Sequence, residues 1–430
     1  MASSSPPESC VQLYAELLAN IRQIRFYVTT KDAVRNDSRP VVTLDSSRSL
    51  VTVSHSDKTL TLKLPLSISA RAREHLATSQ ATSHGGENEY SFRLPIDEAS
   101  SAVDVTSSHD YTSMSPWPAK NMTAQTCICC RCCANILFSP REAQNIIWKD
   151  LPSADWAEMM DLWHCHKPDP IPSKDGDTDF TSLNGDTKGY GASNRVVCKP
   201  GTVFVNITSF VMTQGDCQGA KMTIAKGDSS FDQGINSFPP HSVPNLCCKS
   251  CGSTVGEMQN SLQGIELFKA SVSISHQENC ASGTCIDKNL LENYPPELIV
   301  GFQLLESVER SGTRRFAIHC GSADNQQHNG LLAWVFNTDL RYSFKDTSSA
   351  SRSISAKCAM KVFYKHVANV QPLVNPDLGM PSVTSLEELR LPLHIYHCIK
   401  TVLEKSTSLL PPSGRKFGEW EIGLLDLESA

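Results

Sequence analysis

The 430-residue chain lacks any continuous apolar run that approaches the ~20 residues needed to span a bilayer. Its first ten residues, MASSSPPESC, lack a basic flank followed by an apolar segment, so we expect no signal peptide. No long internal repeat is visible, which sets aside a repeat architecture. These absences predict a soluble protein of the cytoplasm, the nucleus or both, without a membrane partner.

The chain also lacks an excess of basic residues. Lys plus Arg number 39 against 45 Asp plus Glu, so the formal net charge is −6. A mild acidic excess without a dense basic run argues against a chain-wide nucleic-acid-binding surface, and we expect no tight direct binding to nucleic acid. The hydrophobic content of 40% still supports a core. The length predicts two to three domains at about 150 residues each.

The N-terminal third has strand character. Leu60, Leu62 and Leu64 alternate with non-apolar or turn-forming residues, which is the period-2 pattern of a half-buried strand. Apolar residues at helical spacing predict one helix over residues 11–24. The pattern predicts an N-terminal antiparallel β-sandwich or open barrel over residues 10–110. The other segments that favour strands are 25–30, 41–44, 50–53 and 90–94.

The remainder of the chain favours a mixed α+β architecture, so the predicted fold class is β-rich α+β. Residues 111–126 are rich in Ser, Thr and Pro and are predicted to be a linker. A zinc-knuckle region over 127–260 follows, with a flexible, Asp- and Gly-rich insert at 167–195. A C-terminal α+β region is predicted over 261–430. Within it, helices are expected over 296–310 and 393–403 and strands over 315–320, 331–336, 360–364 and 420–427.

Seventeen cysteines dominate the chemistry of the sequence. Five fall between Cys127 and Cys133, and three between Cys247 and Cys251. In a long chain without a predicted signal peptide, such clusters indicate metal binding or reactive thiols more than disulfides. The odd total also excludes complete pairing within the chain.

Two pairs have the C-x-x-C spacing, Cys130 with Cys133 and Cys248 with Cys251. Two intervening residues let a tight turn direct two thiolates at one ion, and backbone amides can then hydrogen-bond to the sulfurs. Gly252 supplies the permissive backbone that such a turn needs after its second ligand. Together the two pairs predict a structural Cys₄ site for Zn²⁺ that joins the two segments.

The spacing leaves other arrangements open. From Cys133 to Cys248 there are 114 intervening residues, whereas a compact zinc ribbon has about 15–20. The first cluster also allows Cys127 to pair with Cys130, or Cys129 with Cys132. Two separate, incomplete sites are a further possibility.

The order of these motifs resembles the HECT-like ubiquitin-conjugating-enzyme-binding family. The first C-x-x-C pair is followed by Leu-Pro-Ser-x-x-Trp, by Trp-x-Cys-His-x-Pro-Asp-Pro, and by the second C-x-x-C pair with Gly after it. The resemblance runs from about residue 127 to the end. Its signature residues here are Leu151, Pro152, Trp156, Trp163, Cys165 and His166.

The resemblance implies a ubiquitin-protein ligase whose partners are a ubiquitin-conjugating enzyme and ubiquitin. It also implies a link to pre-mRNA 3′-end processing factors, and it aligns the zinc-type pairs with Cys130, Cys133, Cys248 and Cys251. HECT-like transfer would need an exposed, activated thiol. The candidates are Cys285, in a polar Thr-Cys loop, and Cys320, after a predicted strand. A non-catalytic zinc-dependent adaptor or chaperone is the alternative function.

Overall fold

The computed structural model describes most of the chain, in twelve stretches separated by gaps. The described residues are 10–31, 39–76, 80–84, 86–97, 115–140, 145–151, 197–223, 244–276, 290–320, 329–347, 356–374 and 386–428. The chain forms two compact units. Of the described residues, the first unit comprises those up to residue 115 and those from residue 294 onward, and the second comprises those between residues 116 and 293.

Strands dominate both units. The N-terminal strands are β1 (Cys10–Leu18), β2 (Gln23–Lys31), β3 (Val41–Leu44), β4 (Leu50–His55), β5 (Lys58–Lys63), β6 (Gln80–His84) and β7 (Glu87–Pro95). The second unit contributes β8 (Cys127–Cys130), β9 (Ile136–Phe138), β10 (Ile147–Asp150), β11 (Thr202–Val205), β12 (Ser209–Met212), β13 (Ala220–Thr223), β14 (Asn245–Cys248), β15 (Thr254–Gln259), β16 (Gly264–Phe268) and β17 (Val272–Ser275). The C-terminal strands are β18 (Arg315–His319), β19 (Gly330–Asp346), β20 (Lys357–Val367), β21 (Leu386–Arg390), β22 (Lys416–Phe417) and β23 (Trp420–Asp426).

Four α-helices lie in the described part of the first unit. They are α1 (Ala72–Leu76), α2 (Pro296–Ser311), α3 (Gln371–Val374) and α4 (Leu393–Thr407). The helices predicted over 296–310 and 393–403 are thereby confirmed as α2 and α4, and the predicted C-terminal strands as β18, β19, β20 and β23. Together with the strands they confirm the β-rich α+β class. No described helix has both the length and the apolar character that a bilayer-spanning segment needs.

The first unit is built on a ten-stranded sheet. Its main path is β22-β23-β20-β19-β1-β2-β7-β6, and β18 joins β19 to β21. Residues 12–16 of β1 pair with residues 342–346 of β19. The sheet therefore combines residues from the regions 10–110 and 261–430, which the sequence assigned to separate domains. Periodicity identifies strands but does not identify which distant strand each one pairs with.

A second sheet, β3-β4-β5, completes the N-terminal part of this unit. Leu13 and Phe26 from the large sheet share one buried core with Val51, Val53 and Leu62 from the small sheet. All pairings among β1 to β7 are antiparallel, as expected. The two sheets thus enclose the apolar faces that the period-2 pattern indicated.

The helix predicted over residues 11–24 is wrong. This segment forms β1, a 3₁₀ turn at Ala19–Ile21 and the start of β2, with Arg22 at φ 52° in the turn. β1 is buried on both faces, because Leu13 lies in the core just described while Tyr14 packs against Tyr342 on the opposite side. A strand buried on both faces gives a nearly continuous apolar run, which imitates helical spacing.

The second unit contains a seven-stranded sheet, β10-β11-β12-β16-β15-β14-β13, and a three-stranded sheet, β17-β8-β9. The segment predicted as a linker over 111–126 is packed into this unit from residue 116. Trp117 is only 2% exposed, and the buried Lys269 donates from Nζ to the Pro116 carbonyl oxygen at 2.6 Å. The composition of this segment is rich in Ser and Pro and therefore indicated a linker. A composition cannot show that the single tryptophan in the segment is buried. The predicted insert at 167–195 lies outside the described residues.

Candidate metal centre and an exposed aromatic surface

Two reverse turns in the second unit present the C-x-x-C pairs. The first follows β8 and the second follows β14, and both have the same backbone hydrogen bonds. The Ala134 amide donates to the Cys130 carbonyl at 2.8 Å, and the Gly252 amide donates to the Cys248 carbonyl at 3.0 Å. The turns are therefore two copies of one knuckle, each opened by a cysteine at the end of a buried strand.

The residue after each second cysteine has a left-handed backbone. Gly252 has φ 74°, and Ala134 has φ 61°. Only glycine adopts this region at low cost, since a Cβ there crowds the following carbonyl oxygen. The sequence identified Gly252 as permissive, and the first knuckle adopts the same conformation despite its alanine.

The four sulfurs of these knuckles converge. Their Sγ atoms all lie within 4.8 Å of one another. Cys130 and Cys251 are 3.7 Å apart, and Cys133 and Cys248 are 3.6 Å apart. Tetrahedral zinc with Zn–S bonds of about 2.3 Å would place its sulfurs about 3.8 Å apart. The donor set and its spacing therefore fit one tetrahedral metal ion, which these four residues could hold.

The convergence decides among the registers that the sequence left open. Cys127 and Cys129 are buried in β8, and Cys132 is exposed within the first turn. None of these three belongs to the group of converging sulfurs in the described residues. Alternation along β8 explains part of this, because Cys129 and Cys130 must point to opposite faces.

Neighbouring groups support the sulfurs. Asn135 donates from Nδ2 to the Cys248 sulfur at 3.5 Å and to the Gly219 carbonyl at 3.1 Å. Burial raises the pKa of Cys130 well above its ordinary value. Burial also raises the pKa of Cys251, but hydrogen bonds from Ser253 and the adjacent thiols outweigh it and lower that pKa to about 6. A cation among the sulfurs would stabilise all four as thiolates.

Of the six signature residues, Leu151 lies in the part of the chain that the structure describes. Leu151 donates its amide to the Val205 carbonyl at 2.8 Å and packs beside the buried Phe204. The others lie outside the described residues, as does the candidate thiol Cys285. These residues are Pro152, Trp156, Trp163, Cys165 and His166.

Cys320, the other candidate thiol, follows β18 in the first unit and is partly exposed. Burial raises the pKa of Tyr396, in the first turn of α4, and the nearby Cys320 thiol adds to this rise. The adjacent His319 is 4% exposed, and its Nε2 lies 2.7 Å from a Glu388 oxygen. The Nε2 side of this imidazole is therefore engaged by a carboxylate.

Five aromatic rings cluster on the large sheet of the first unit, and two of them are exposed while Phe363 beneath them is buried. Phe336 stacks on Phe363 at 4.8 Å between ring centroids and an interplanar angle of 9°. Phe417 contacts Phe363 from the edge strand, and Trp334 contacts Trp420. Phe336 is 52% exposed and Phe417 61% exposed. We call these five residues the aromatic surface.

A β-bulge in β19 exposes Phe336. The register between β19 and β20 shifts between Val335 and Asn337, which leaves Phe336 as the extra residue of a bulge. Arg314 donates to the carbonyl oxygens of both Val335 and Phe336, at 3.3 Å and 3.5 Å. Bulges of this kind redirect side chains next to functional sites. The predicted strand over 331–336 includes Trp334 and Phe336, which alternate along it. The residue pattern predicts neither the bulge at Phe336 nor the exposure of its ring.

Comparisons with known proteins agree over most of the chain. A family model described as HECT-like Ubiquitin-conjugating enzyme (E2)-binding matches residues 16–422. The chain is 27% identical to an uncharacterized protein of Schizosaccharomyces pombe, over 72% of this chain and 76% of the other. It is 24% identical to an uncharacterized protein of Saccharomyces cerevisiae, over 69% and 68%. It is 22% identical to a Homo sapiens protein named as an E3 ubiquitin-protein ligase, over 71% and 75%. No solved structure matches the chain.

Proposed function

The chain belongs to the HECT-like ubiquitin-conjugating enzyme (E2)-binding family, and from this premise we propose that it binds a ubiquitin-conjugating enzyme and promotes ubiquitin transfer to substrate lysines. The observation that carries the proposal is the family match over residues 16–422, which spans both units. The human relative, named as an E3 ubiquitin-protein ligase, supports the same pathway. The partners are then the conjugating enzyme and the ubiquitin that it carries.

We propose that the metal is Zn²⁺ and that its role is structural. Four cysteine ligands close a tetrahedral site and leave no position for water or substrate, which distinguishes structural from catalytic zinc. Binding would contribute an apparent 10–16 kcal/mol, about the magnitude measured for zinc-finger peptides. The ion would fasten the turn after β8 to the turn after β14 and so hold the two sheets of the second unit together.

We propose that the conjugating enzyme docks on the aromatic surface. Large exposed aromatic patches are uncommon on proteins without a partner, and aromatic side chains dominate the energetic centres of interfaces. The Phe336 ring is already stacked on Phe363, and the Phe417 ring contacts the same ring at a tilt of 41°. Little side-chain entropy would then be lost on binding.

Substituting the exposed rings tests this contact. Phe336→Ser and Phe417→Ser should each weaken binding to the responsive member of a panel of purified conjugating enzymes by about tenfold or more. Val41→Ser is the matched control, because Val41 is 61% exposed in the same unit but lies on the small sheet. Circular dichroism would verify folding. Binding that survives both phenylalanine substitutions would refute the docking surface, whereas binding to no enzyme of the panel would refute the proposed function.

Two functions are proposed, and they differ in whether a cysteine of the chain forms a ubiquitin thioester. In a HECT-like route, a thiolate of the chain, Cys285 or Cys320, attacks the thioester of the charged conjugating enzyme, so that ubiquitin passes to this cysteine and the cysteine of the conjugating enzyme leaves as a thiolate. In the alternative, the protein is a non-catalytic zinc-dependent adaptor or chaperone that supports the pre-mRNA 3′-end cleavage machinery. The setting of Cys320 argues against this cysteine alone as the acceptor, since the Nε2 of the adjacent His319 is engaged by Glu388.

Trapping with charged conjugating enzyme separates the routes. A ubiquitin adduct that disappears under reducing conditions, and is absent in Cys285→Ser or Cys320→Ser, supports the thioester route. Conjugating-enzyme binding without any reducible adduct supports the adaptor. Either function is proposed for the cytoplasm or the nucleus, where reduced thiolates persist for the metal centre. Microscopy of the tagged protein would check this location.

A further inference from the structure

The first unit carries a small cleft that contains two arginines. It lies where the 3₁₀ turn Ala19–Ile21 connects β1 to β2. Its volume is about 180 Å³. Six residues line it: Leu18, Ile21, Gln23, Ile24, Arg25 and Arg93. One side is thus apolar and the other is strongly basic.

The two arginines are direct cross-strand neighbours. Arg25 of β2 is registered opposite Arg93 of β7 in an antiparallel pair. Like charges at opposed positions destabilise a sheet, so this arrangement has a cost that a bound anion would remove. Within the part of the chain that the structure describes, neither guanidinium forms an ion pair with a carboxylate. Arg25 instead lies 5.6 Å from the ring centroid of Tyr27.

The nearest candidate counter-charge is already engaged. Glu16 stands opposite Arg25 on the other neighbouring strand. Its carboxylate accepts from the Tyr14 hydroxyl at 3.0 Å and is paired with the Lys361 ammonium group. Glu16 is 6% exposed and does not line the cleft. The basic side of the cleft therefore keeps positive charge that faces solvent.

The apolar side is also exposed. Ile21 is 59% exposed at the turn, although isoleucine is a residue that usually avoids water. Arg22, with φ 52°, holds the turn in place, since its carbonyl oxygen accepts from the Ile96 amide at 3.2 Å. The cleft is thus a fixed feature of the hairpin.

We propose that this cleft binds a small amphiphilic acid, with its carboxylate or phosphate between Arg25 and Arg93 and its apolar body against Leu18 and Ile21. Guanidinium groups recognise both anions by paired, charge-assisted hydrogen bonds. A cavity of about 150 Å³ is sufficient to hold a benzene-sized group. The volume here therefore suits an apolar body of about six carbon atoms. This site is independent of the metal centre and of the aromatic surface.

The probes are chosen to separate the anionic group from the apolar body. Hexanoate and hexyl phosphate carry both, hexanol carries only the chain, and inorganic phosphate carries only the charge. Each is titrated into the full-length protein in a buffer free of other carboxylates and phosphates. The readout is the methyl NMR signals of Ile21 and Leu18. A stronger response to hexanoate assigns the anionic group as a carboxylate, and a stronger response to hexyl phosphate assigns it as a phosphate.

At least one amphiphilic acid should produce a saturable shift, at concentrations where hexanol and inorganic phosphate do not. Arg25→Gln and Arg93→Gln should each weaken that binding by about tenfold, since each removes charged hydrogen bonds. Arg71→Gln, which removes an exposed arginine elsewhere in the unit, should leave it unchanged. Methyl signals remote from the cleft report that each variant is folded. No saturable shift with either acid, or undiminished affinity in the Arg25→Gln/Arg93→Gln double variant, would overturn the proposal.

Discussion

The two cysteine knuckles share one backbone conformation but differ at the residue after the second cysteine, which permits a reciprocal pair of substitutions. Gly252→Ala places a side chain in the left-handed region, and Ala134→Gly removes one from it. A Cβ added at Gly252 would meet no atom within 4 Å. The effect of Gly252→Ala is therefore conformational, without a steric contribution. Ala134 is 4% exposed, so Ala134→Gly also removes one buried methyl group.

The magnitude follows from two opposing terms. A non-glycine residue in the left-handed region costs about 1–2 kcal/mol. Replacing glycine also restricts the unfolded chain, which returns about 0.4–1 kcal/mol of stability. Gly252→Ala should therefore lower the free energy of unfolding by roughly 1 kcal/mol. Ala134→Gly should change it little, because the lost burial of one methyl group, about 0.8 kcal/mol, offsets the conformational relief.

Urea unfolding followed by tryptophan fluorescence would measure both changes, and the rate of metal loss to a chelator would show whether they act on the centre. Gly86→Ala is the matched control, because Gly86 has φ 87° and equally open surroundings but lies in the turn between β6 and β7. It should lower stability without altering metal loss. A loss of stability in Ala134→Gly as large as that in Gly252→Ala would refute the reasoning, since it would mean that the two turns are not equivalent.

Two further predictions concern buried charges. Lys269 is fully buried, and burial lowers its pKa from 10.5 to about 7. As pH falls from about 10 to about 7, Lys269 is protonated in the unfolded chain but stays neutral in the folded protein, so the free energy of unfolding should fall over this range. Lys269→Met should remove this contribution to the pH dependence measured by urea unfolding. Glu16 and Lys361 form an ion pair with side chains 8% and 16% exposed; Glu16→Gln should therefore cost about 3 kcal/mol by leaving a buried ammonium group without its carboxylate, whereas Glu16→Gln/Lys361→Met should recover most of this in a thermodynamic cycle. An unchanged pH dependence of stability in Lys269→Met would contradict the lowered pKa of Lys269. A double variant no more stable than Glu16→Gln would contradict the cost assigned to the unpaired Lys361 ammonium group.

The sequence predicted the local features of the fold well. Alternation located the strands around Leu62 and Phe92, and helical spacing located α2 and α4, because each of these elements has one face in a core and one face towards solvent. The exception was β1, whose two buried faces removed the alternation on which the prediction depends. Long-range pairing, such as β1 with β19, has no local signature.

The candidate metal ligands were predicted for a similar reason. The C-x-x-C spacing reflects a turn of fixed size, so each pair of thiols was evident within four residues. Their convergence across more than a hundred residues was supported by the family resemblance and is seen only in the three-dimensional arrangement. Asn135, Lys269 and the exposure of Phe336 depend on packing between distant segments. No pattern of neighbouring residues could have indicated them.

Metal quantification of the purified protein tests the central claim most directly. We expect one zinc ion per chain in the wild type and a loss of most of this zinc in Cys133→Ser and in Cys248→Ser. The two sulfurs come from different knuckles yet lie 3.6 Å apart, so both would bind the same ion. Cys132→Ser, an exposed cysteine in the same turn, should retain the full amount. A protein without metal when purified under reducing conditions, or zinc that is undiminished in both ligand variants, would contradict a shared four-cysteine centre.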